Sequence, residues 1–176
     1  MIPEEIQLRA RYLFLASSRA VNQLTARLIA TLPSPAPAVV PALEKSLKRE
    51  LGLLFRYWAS QQIWERLDAS EADAKHLNLA LLRLFTEAFR LPQDGSGLRY
   101  AELSNLAEEV RELSRRITEA LGVSHQPLLG ELERAILPWR DAVSQYTTDA
   151  LGLPLERLSA SVKELGGAPG PRQVGG

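Results

Sequence analysis

Apolar residues recur along this chain at intervals of three and four, and no segment alternates apolar and polar residues as a half-buried strand does. Residues 103–120 show the pattern most clearly. Their apolar positions are Leu103, Leu106, Val110, Leu113, Ile117 and Ala120. Because an α-helix turns once every ~3.6 residues, these positions share one face. We therefore expect a helix over about residues 99–121 whose apolar face packs along another helix.

The rest of the chain has the same helical character. Pro3 followed by Glu4 and Glu5 is typical of a helix start, because the acids favour the positive helix end and proline lacks only an N–H that would be unpaired there. The other predicted helices cover about residues 3–32, 42–67, 70–91, a stretch from 125 onward that Pro138 kinks or breaks, and 155–165. We predict an all-α fold, a single-domain helical bundle of five or six helices over residues 1–166, and a disordered tail over residues 167–176.

Prolines and glycines indicate where the helices stop. The segment 33–41 holds four prolines in nine residues, and each of them removes a backbone donor. We therefore expect an extended connector between the first two helices. Pro92 and the glycine-rich QDGSG segment that follows it predict a loop after the third helix.

Residue types that carry catalysis are sparse. The chain has no cysteine, which excludes disulfides, thiolate nucleophiles and sulfur ligands for metals. Its two histidines are His76 and His125, and the spacing of Asp73 and His76 lacks the second copy that a metal site in a helical bundle needs. No glycine-rich phosphate loop occurs. We predict a protein that is not an enzyme and holds no metal and no cofactor.

Three glutamates cluster on the predicted fourth helix. They are Glu108, Glu109 and Glu112, and arginines follow them at positions 111, 115 and 116. Opposite charges three or four residues apart are typical of a solvated helix face, which is our interpretation, with a partner-helix interface as the alternative.

Nothing in the sequence indicates a membrane protein. No apolar run approaches ~18 residues, and the start MIPEEIQLR lacks the basic segment of a secretory signal. We expect a soluble, cytoplasmic protein.

Charge is distributed unevenly, although the formal net charge is +0. Residues 1–67 hold nine lysines and arginines against five acids, and the remaining residues hold twelve against sixteen. No acid lies between Glu5 and Glu44. That stretch contains the arginines Arg9, Arg11, Arg19 and Arg27. The asymmetry indicates an anionic partner for the N-terminal half.

The second predicted helix carries the best candidate site. We call it the basic strip, and it consists of Lys45, Lys48, Arg49 and Arg56. Helical spacing places these residues within roughly 100° of arc. Gly52 and Ser60 share the face, and such small residues would let a ligand backbone approach closely. Lysine and arginine are the usual phosphate ligands, and they give affinity without sequence choice.

Aromatic residues of the same helix divide into two groups. Phe55 and Trp58 point away from the basic strip and are predicted to lie in the core. Tyr57 and Trp64 flank the strip, where a base could stack on an exposed ring. Three interpretations of the strip stay open: neutralisation by acids of the C-terminal half, binding of nucleic acid, and binding of an acidic protein.

A small, cysteine-free, all-helical chain with a basic helix face resembles the small subunits of multi-subunit CRISPR effector complexes. The resemblance covers size, architecture and the strip of Lys45, Lys48, Arg49 and Arg56. In that family, helical bundles line a ribonucleoprotein and hold the RNA-paired or displaced DNA strand through lysines and arginines.

The resemblance implies a non-catalytic subunit that binds the DNA or RNA backbone without sequence specificity through the basic face of its N-terminal half. Its partners would be the other protein subunits of a larger complex, with self-association as a further expectation. The other hypothesis is a helical adaptor or oligomerisation module that recognises protein partners.

Overall fold

The computed structural model describes residues 1–32, 39–67, 71–92, 96–103, 105–121 and 126–166. Within these ranges the chain forms six α-helices and one 3₁₀ helix and contains no strand. The elements are α1 (Pro3–Ile29), α2 (Val40–Arg66), α3 (Glu71–Phe89), the 3₁₀ helix (Ser96–Glu102), α4 (Leu106–Leu121), α5 (Gln126–Gly152) and α6 (Leu155–Gly166). The prediction of an all-α helical bundle is confirmed.

Helices α1 and α2 form the centre of the bundle. Helix α1 packs against α2, α3, α5 and α6, and α2 also packs against α3, α4, α5 and the 3₁₀ helix. Phe14 of α1 meets Phe85 of α3 edge to face, with ring centroids 5.2 Å apart. Phe55 and Trp58 are buried as predicted, and they share the inner face of α2 with the buried residues Leu47, Leu51 and Leu54. Each such apolar side chain stabilises the fold by roughly 1.5–3 kcal/mol.

Helices α2 and α3 lie antiparallel at close range. Gly52 in the first half of α2 contacts Phe89 at the end of α3, and Ser60 further along α2 donates a hydrogen bond of 2.7 Å to Asn78 Oδ1. A Cβ atom at position 52 would lie 2.9 Å from Phe89 Cδ2. The absence of a side chain at Gly52 therefore allows α3 to pack against α2.

The fourth helix begins later than the predicted position 99. Residues 96–102 form the 3₁₀ helix instead, followed by a hydrogen bond of 3.1 Å from the Leu103 N–H to the Tyr100 carbonyl. Asn105 explains the start of α4, because its Oδ1 accepts a hydrogen bond of 3.0 Å from the Glu108 N–H. This is the geometry of an N-cap residue, which satisfies a donor left free at a helix start.

The predicted apolar face of the fourth helix is confirmed at its centre. Val110, Leu113 and Ile117 are buried, whereas Leu103 and Leu106 are half-buried and pack on the edge of the core. Ala120 is exposed, although Leu121 beside it packs against the core.

Two prolines have less effect than predicted. Helix α2 begins at Val40 rather than 42, with Pro41 in its first turn, where a missing N–H costs no hydrogen bond. Helix α5 continues through Pro138 without a break. Ile136 before it and Val143 after it are both buried, so packing holds the two halves in one helix.

Several predictions fall outside the described residues. They concern positions 33–38 of the expected connector, 93–95 of the expected loop, His125 and the tail over 167–176. Within the part of the chain that is described, no helix has both the length and the apolar character needed to cross a bilayer.

Candidate nucleic-acid interface

The basic strip does not form one continuous surface. Lys45 is exposed, whereas the other three cations are half-buried. Helix α3 covers the middle of the strip, where Phe89 contacts Gly52, and it also contacts Ser60 just beyond the strip. The prediction that a ligand backbone approaches at Gly52 is therefore wrong, since Phe89 of α3 occupies that space.

The N-terminal end of the strip opens onto a cleft of about 400 Å³ between the start of α2 and the end of α3. We call it the lysine cleft. It is lined by Pro41, Glu44, Lys45, Lys48, Ala88, Phe89 and Arg90. Three cations therefore face one carboxylate, and such an excess of positive charge in a concave surface attracts anions.

Ion pairing leaves most of this charge uncompensated. Lys48 Nζ lies 3.9 Å from Glu44 Oε1, one turn away on the same helix. Within the described residues, Lys45 and Arg90 form no ion pair. A half-exposed pair at that distance contributes little free energy, so Lys48 also remains able to bind a ligand.

Arg90 was missed by the sequence analysis. It follows the last residue of α3 and has a φ of 53°, the left-handed conformation that commonly ends a helix. A cation there is favoured by the negative end of the helix dipole. The sequence did contain a signal for Arg90. Consecutive helices commonly pack antiparallel, and this packing places the end of α3 beside Lys45.

Arg49 belongs to a different cluster, formed with α4. Its Nε lies 3.5 Å from Glu50 Oε2, and Glu50 Oε1 accepts a hydrogen bond of 2.6 Å from Arg116 Nε. The side chains of Glu50 and Arg116 are only 5% and 12% exposed. We call the group of Glu50, Glu109, Glu112, Arg115 and Arg116 the acid–arginine network.

The interpretation of the α4 glutamates as a solvated face is wrong for two of them. Glu109 and Glu112 are buried. Glu109 Oε1 accepts a hydrogen bond of 2.8 Å from Trp58 Nε1, and Glu112 Oε2 accepts one of 2.6 Å from Arg115. The hydrogen bond from Arg115 lowers the pKa of Glu112, which keeps that carboxylate ionised.

Arg56 lies in a second cleft, of about 480 Å³. We call it the tryptophan cleft. It is lined by Arg56, Tyr57, Ser60, Gln61, Trp64, Glu65 and Ala101. Trp64 is 46% exposed, as its position beside the strip predicted. Tyr57 is half-buried, and its ring stacks on Tyr100 with centroids 6.0 Å apart.

Within the described residues, no acid of the C-terminal half forms an ion pair with a cation of the basic strip. Among the described residues, the only acids that pair with strip cations are Glu44 and Glu50, both on α2 itself. Arg56 forms no ion pair within the described ranges. The described residues therefore give no support to the first of the three interpretations.

Two of the four N-terminal arginines have structural roles. Arg9 is buried and donates a hydrogen bond of 2.7 Å to the Ala150 carbonyl, near the end of α5. Arg27 pairs with Glu131 of α5 at 2.5 Å. Arg11 and Arg19 are exposed on the outer side of α1. The acid-free stretch thus contributes contacts to the fold as well as surface charge.

Comparison with protein-family models, with curated proteins and with solved structures finds no match to this chain. Within the described residues, no group of three histidine, aspartate or glutamate side chains is placed to hold a metal ion. Function is therefore inferred from the two clefts.

Proposed function

We propose that this chain binds the phosphate backbone of DNA or RNA without reading its sequence. The observation that carries the proposal is the lysine cleft, where Lys45 and Arg90 are unpaired within the described residues and Lys48 has only a distant partner. Ammonium and guanidinium groups bind phosphate through charge-assisted hydrogen bonds. Contacts of this kind position a nucleic acid but do not distinguish its bases.

The resemblance to the small subunits of CRISPR effector complexes suggests the setting. In that setting the chain is a non-catalytic subunit of a cytoplasmic ribonucleoprotein, in contact with other protein subunits. The basic cleft between α2 and α3 supports the proposal. Of the predicted strip, Arg49 does not line this cleft, because it lies beside Glu50 of the acid–arginine network, whereas Arg90 does line it.

The proposal is tested by measuring equilibrium affinities at low salt for two unrelated single-stranded sequences of equal length, and for the corresponding duplexes. The lysine-cleft variant carries Lys45→Gln, Lys48→Gln and Arg90→Gln. The control variant carries Arg111→Gln, Arg157→Gln and Lys163→Gln, which lie on α4 and α6, are exposed and form no ion pair within the described residues. Both variants lose three positive charges.

We expect the wild type to bind both sequences with similar affinity, and the lysine-cleft variant to lose affinity for both by a similar factor. The control variant should bind as the wild type does. Equal losses in the two variants would show that net charge alone attracts the ligand. A wild type that binds no nucleic acid at low salt would contradict the proposal.

A helical adaptor is the second candidate, and a different surface favours it. A groove of about 1040 Å³ runs between α1, α3 and α6. Its apolar lining includes Leu8, Phe14, Leu15, Leu84 and Val162. Sedimentation over a range of protein concentrations tests for self-association through this groove, and Leu84→Glu should abolish any dimer formed there, because it places a charge in an apolar contact.

A further inference from the structure

Two parallel rows of α2 side chains line the tryptophan cleft. The first row is Arg56, Ser60 and Trp64, and the second is Tyr57, Gln61 and Glu65. Residues four apart on a helix are neighbours, so the side chains of each row lie next to one another along the cleft. Ala101 of the 3₁₀ helix also lines the cleft. A cation, an aromatic ring and hydrogen-bonding groups thus face a single space.

Arg56 is the unusual member of this group. Its Nε is buried and has no hydrogen-bond partner among the described residues, and its guanidinium pairs with no acid there. Burial lowers the pKa of this guanidinium. A cation removed from water without a partner raises the free energy of the fold, and an anion bound from outside would offset that cost.

Trp64 offers the second recognition group. It is 46% exposed, whereas Trp58 on the same helix is 2% exposed and donates its indole N–H to Glu109. Tyr57 is held against Tyr100 by ring stacking, so the wall beside Trp64 is supported from within the core. An exposed indole face fits a flat, π-bonded ligand, which stacks on such rings whatever its sequence.

We propose that the tryptophan cleft binds an unpaired nucleobase, stacked on Trp64, with the adjoining phosphate at Arg56. This inference rests on the proposed backbone binding at the lysine cleft. Arg56 lies eight residues beyond Lys48, or ~12 Å along the helix axis, and a strand that reaches both clefts passes over the end of α3 at Gly52. The preferred ligand is therefore single-stranded, because the bases of a duplex stack on each other and must be extruded first.

The test compares the affinity of the full chain for a single-stranded oligonucleotide with its affinity for an abasic strand of equal length. Both strands carry the same phosphates, so their affinity ratio isolates the contribution of the bases. We expect the wild type to bind the intact strand about 5- to 150-fold more tightly, the range for stacking of one base. Trp64→Leu should bind both strands equally, and Trp64→Phe should retain most of the ratio.

Two controls separate this inference from the proposed function. Leu137→Ala removes an exposed apolar side chain of α5 and should keep the wild-type ratio. The lysine-cleft variant should lose affinity for both strands and also keep the ratio.

A wild type that binds both strands equally would overturn the inference and leave backbone binding intact. A Trp64→Leu protein that keeps the wild-type ratio would overturn stacking at this residue. A wild type that binds neither strand would overturn both proposals.

Discussion

Charged side chains of helix α2 lie in two different environments, which differ in how far ion pairs compensate the charge. Toward α4, Glu50 is buried and accepts a hydrogen bond of 2.6 Å from Arg116. Toward the end of α3, Lys45 is exposed and unpaired within the described residues, and Lys48 has a partner only at 3.9 Å. A buried charge needs a partner for the fold to be stable, whereas an exposed charge does not. The acid–arginine network therefore serves the fold, and the lysine cleft is free to bind a ligand.

The largest expected effect on stability comes from a change in the acid–arginine network. Arg116→Met leaves the Glu50 carboxylate buried without its closest cation, which should lower the free energy of unfolding by about 3–5 kcal/mol. Denaturant unfolding measures the loss. The double variant Glu50→Gln, Arg116→Met should recover much of it, because the buried carboxylate is removed together with its closest cation. A loss below about 1 kcal/mol for Arg116→Met would show that the network is not a structural element.

A smaller effect is expected where α3 covers the basic strip. Gly52→Val places methyl groups against the Phe89 ring, where even a Cβ would lie 2.9 Å from Cδ2. Overpacking of this kind should lower the free energy of unfolding by about 1–3 kcal/mol. An unchanged unfolding midpoint would mean that the face at Gly52 is open, as the sequence alone suggested.

Replacement of Tyr100 should have the smallest effect on stability at neutral pH, and a different effect on stability at alkaline pH. Its hydroxyl is buried beside the network without a hydrogen-bond partner among the described residues, so Tyr100→Phe should not lower stability at neutral pH. Burial raises the pKa of Tyr100 above its ordinary value near ~10. The unfolded chain therefore releases this proton at a lower pH than the folded protein does. The contribution of Tyr100 to stability is fully present below pH ~10 and is lost as the pH rises further.

Unfolding midpoints measured across that pH range should show a smaller loss for Tyr100→Phe than for the wild type. Tyr12 remains in both proteins, and burial followed by the charge of Asp149 raises its pKa to about 12. A shared loss of stability is therefore expected, and only the difference between the two proteins reports on Tyr100. Identical pH profiles would place the Tyr100 hydroxyl in contact with water.

The helices and most of the core of α2 could be predicted, because periodicity reports which residues share a face. It does not report what covers that face. Gly52 was therefore assigned to a ligand although Phe89 occupies the space. The same limit applies to Glu109 and Glu112. Glutamates three or four residues from arginines give the same sequence pattern whether their side chains face water or a buried partner such as Trp58.

The candidate site was predicted in part for a similar reason. Lys45 and Lys48 line the lysine cleft, but Arg49 turns to Glu50, a neighbour in sequence whose burial depends on α4. Arg90 is distant in sequence and enters the cleft only through the antiparallel packing of α2 and α3. Spacing along one helix cannot reveal a cleft that two helices form.

Backbone binding at the lysine cleft is tested most directly by the slope of log affinity against log salt concentration for a single-stranded oligonucleotide. If the three cations of the lysine cleft bind phosphates, the lysine-cleft variant should have a slope flatter by ~0.7 for each phosphate that it no longer binds. The control variant should keep the wild-type slope, and both variants should unfold within about 0.5 kcal/mol of the wild type, since they change surface charge alone. Identical slopes for the wild type and the lysine-cleft variant would contradict the claim that this cleft binds the nucleic-acid backbone.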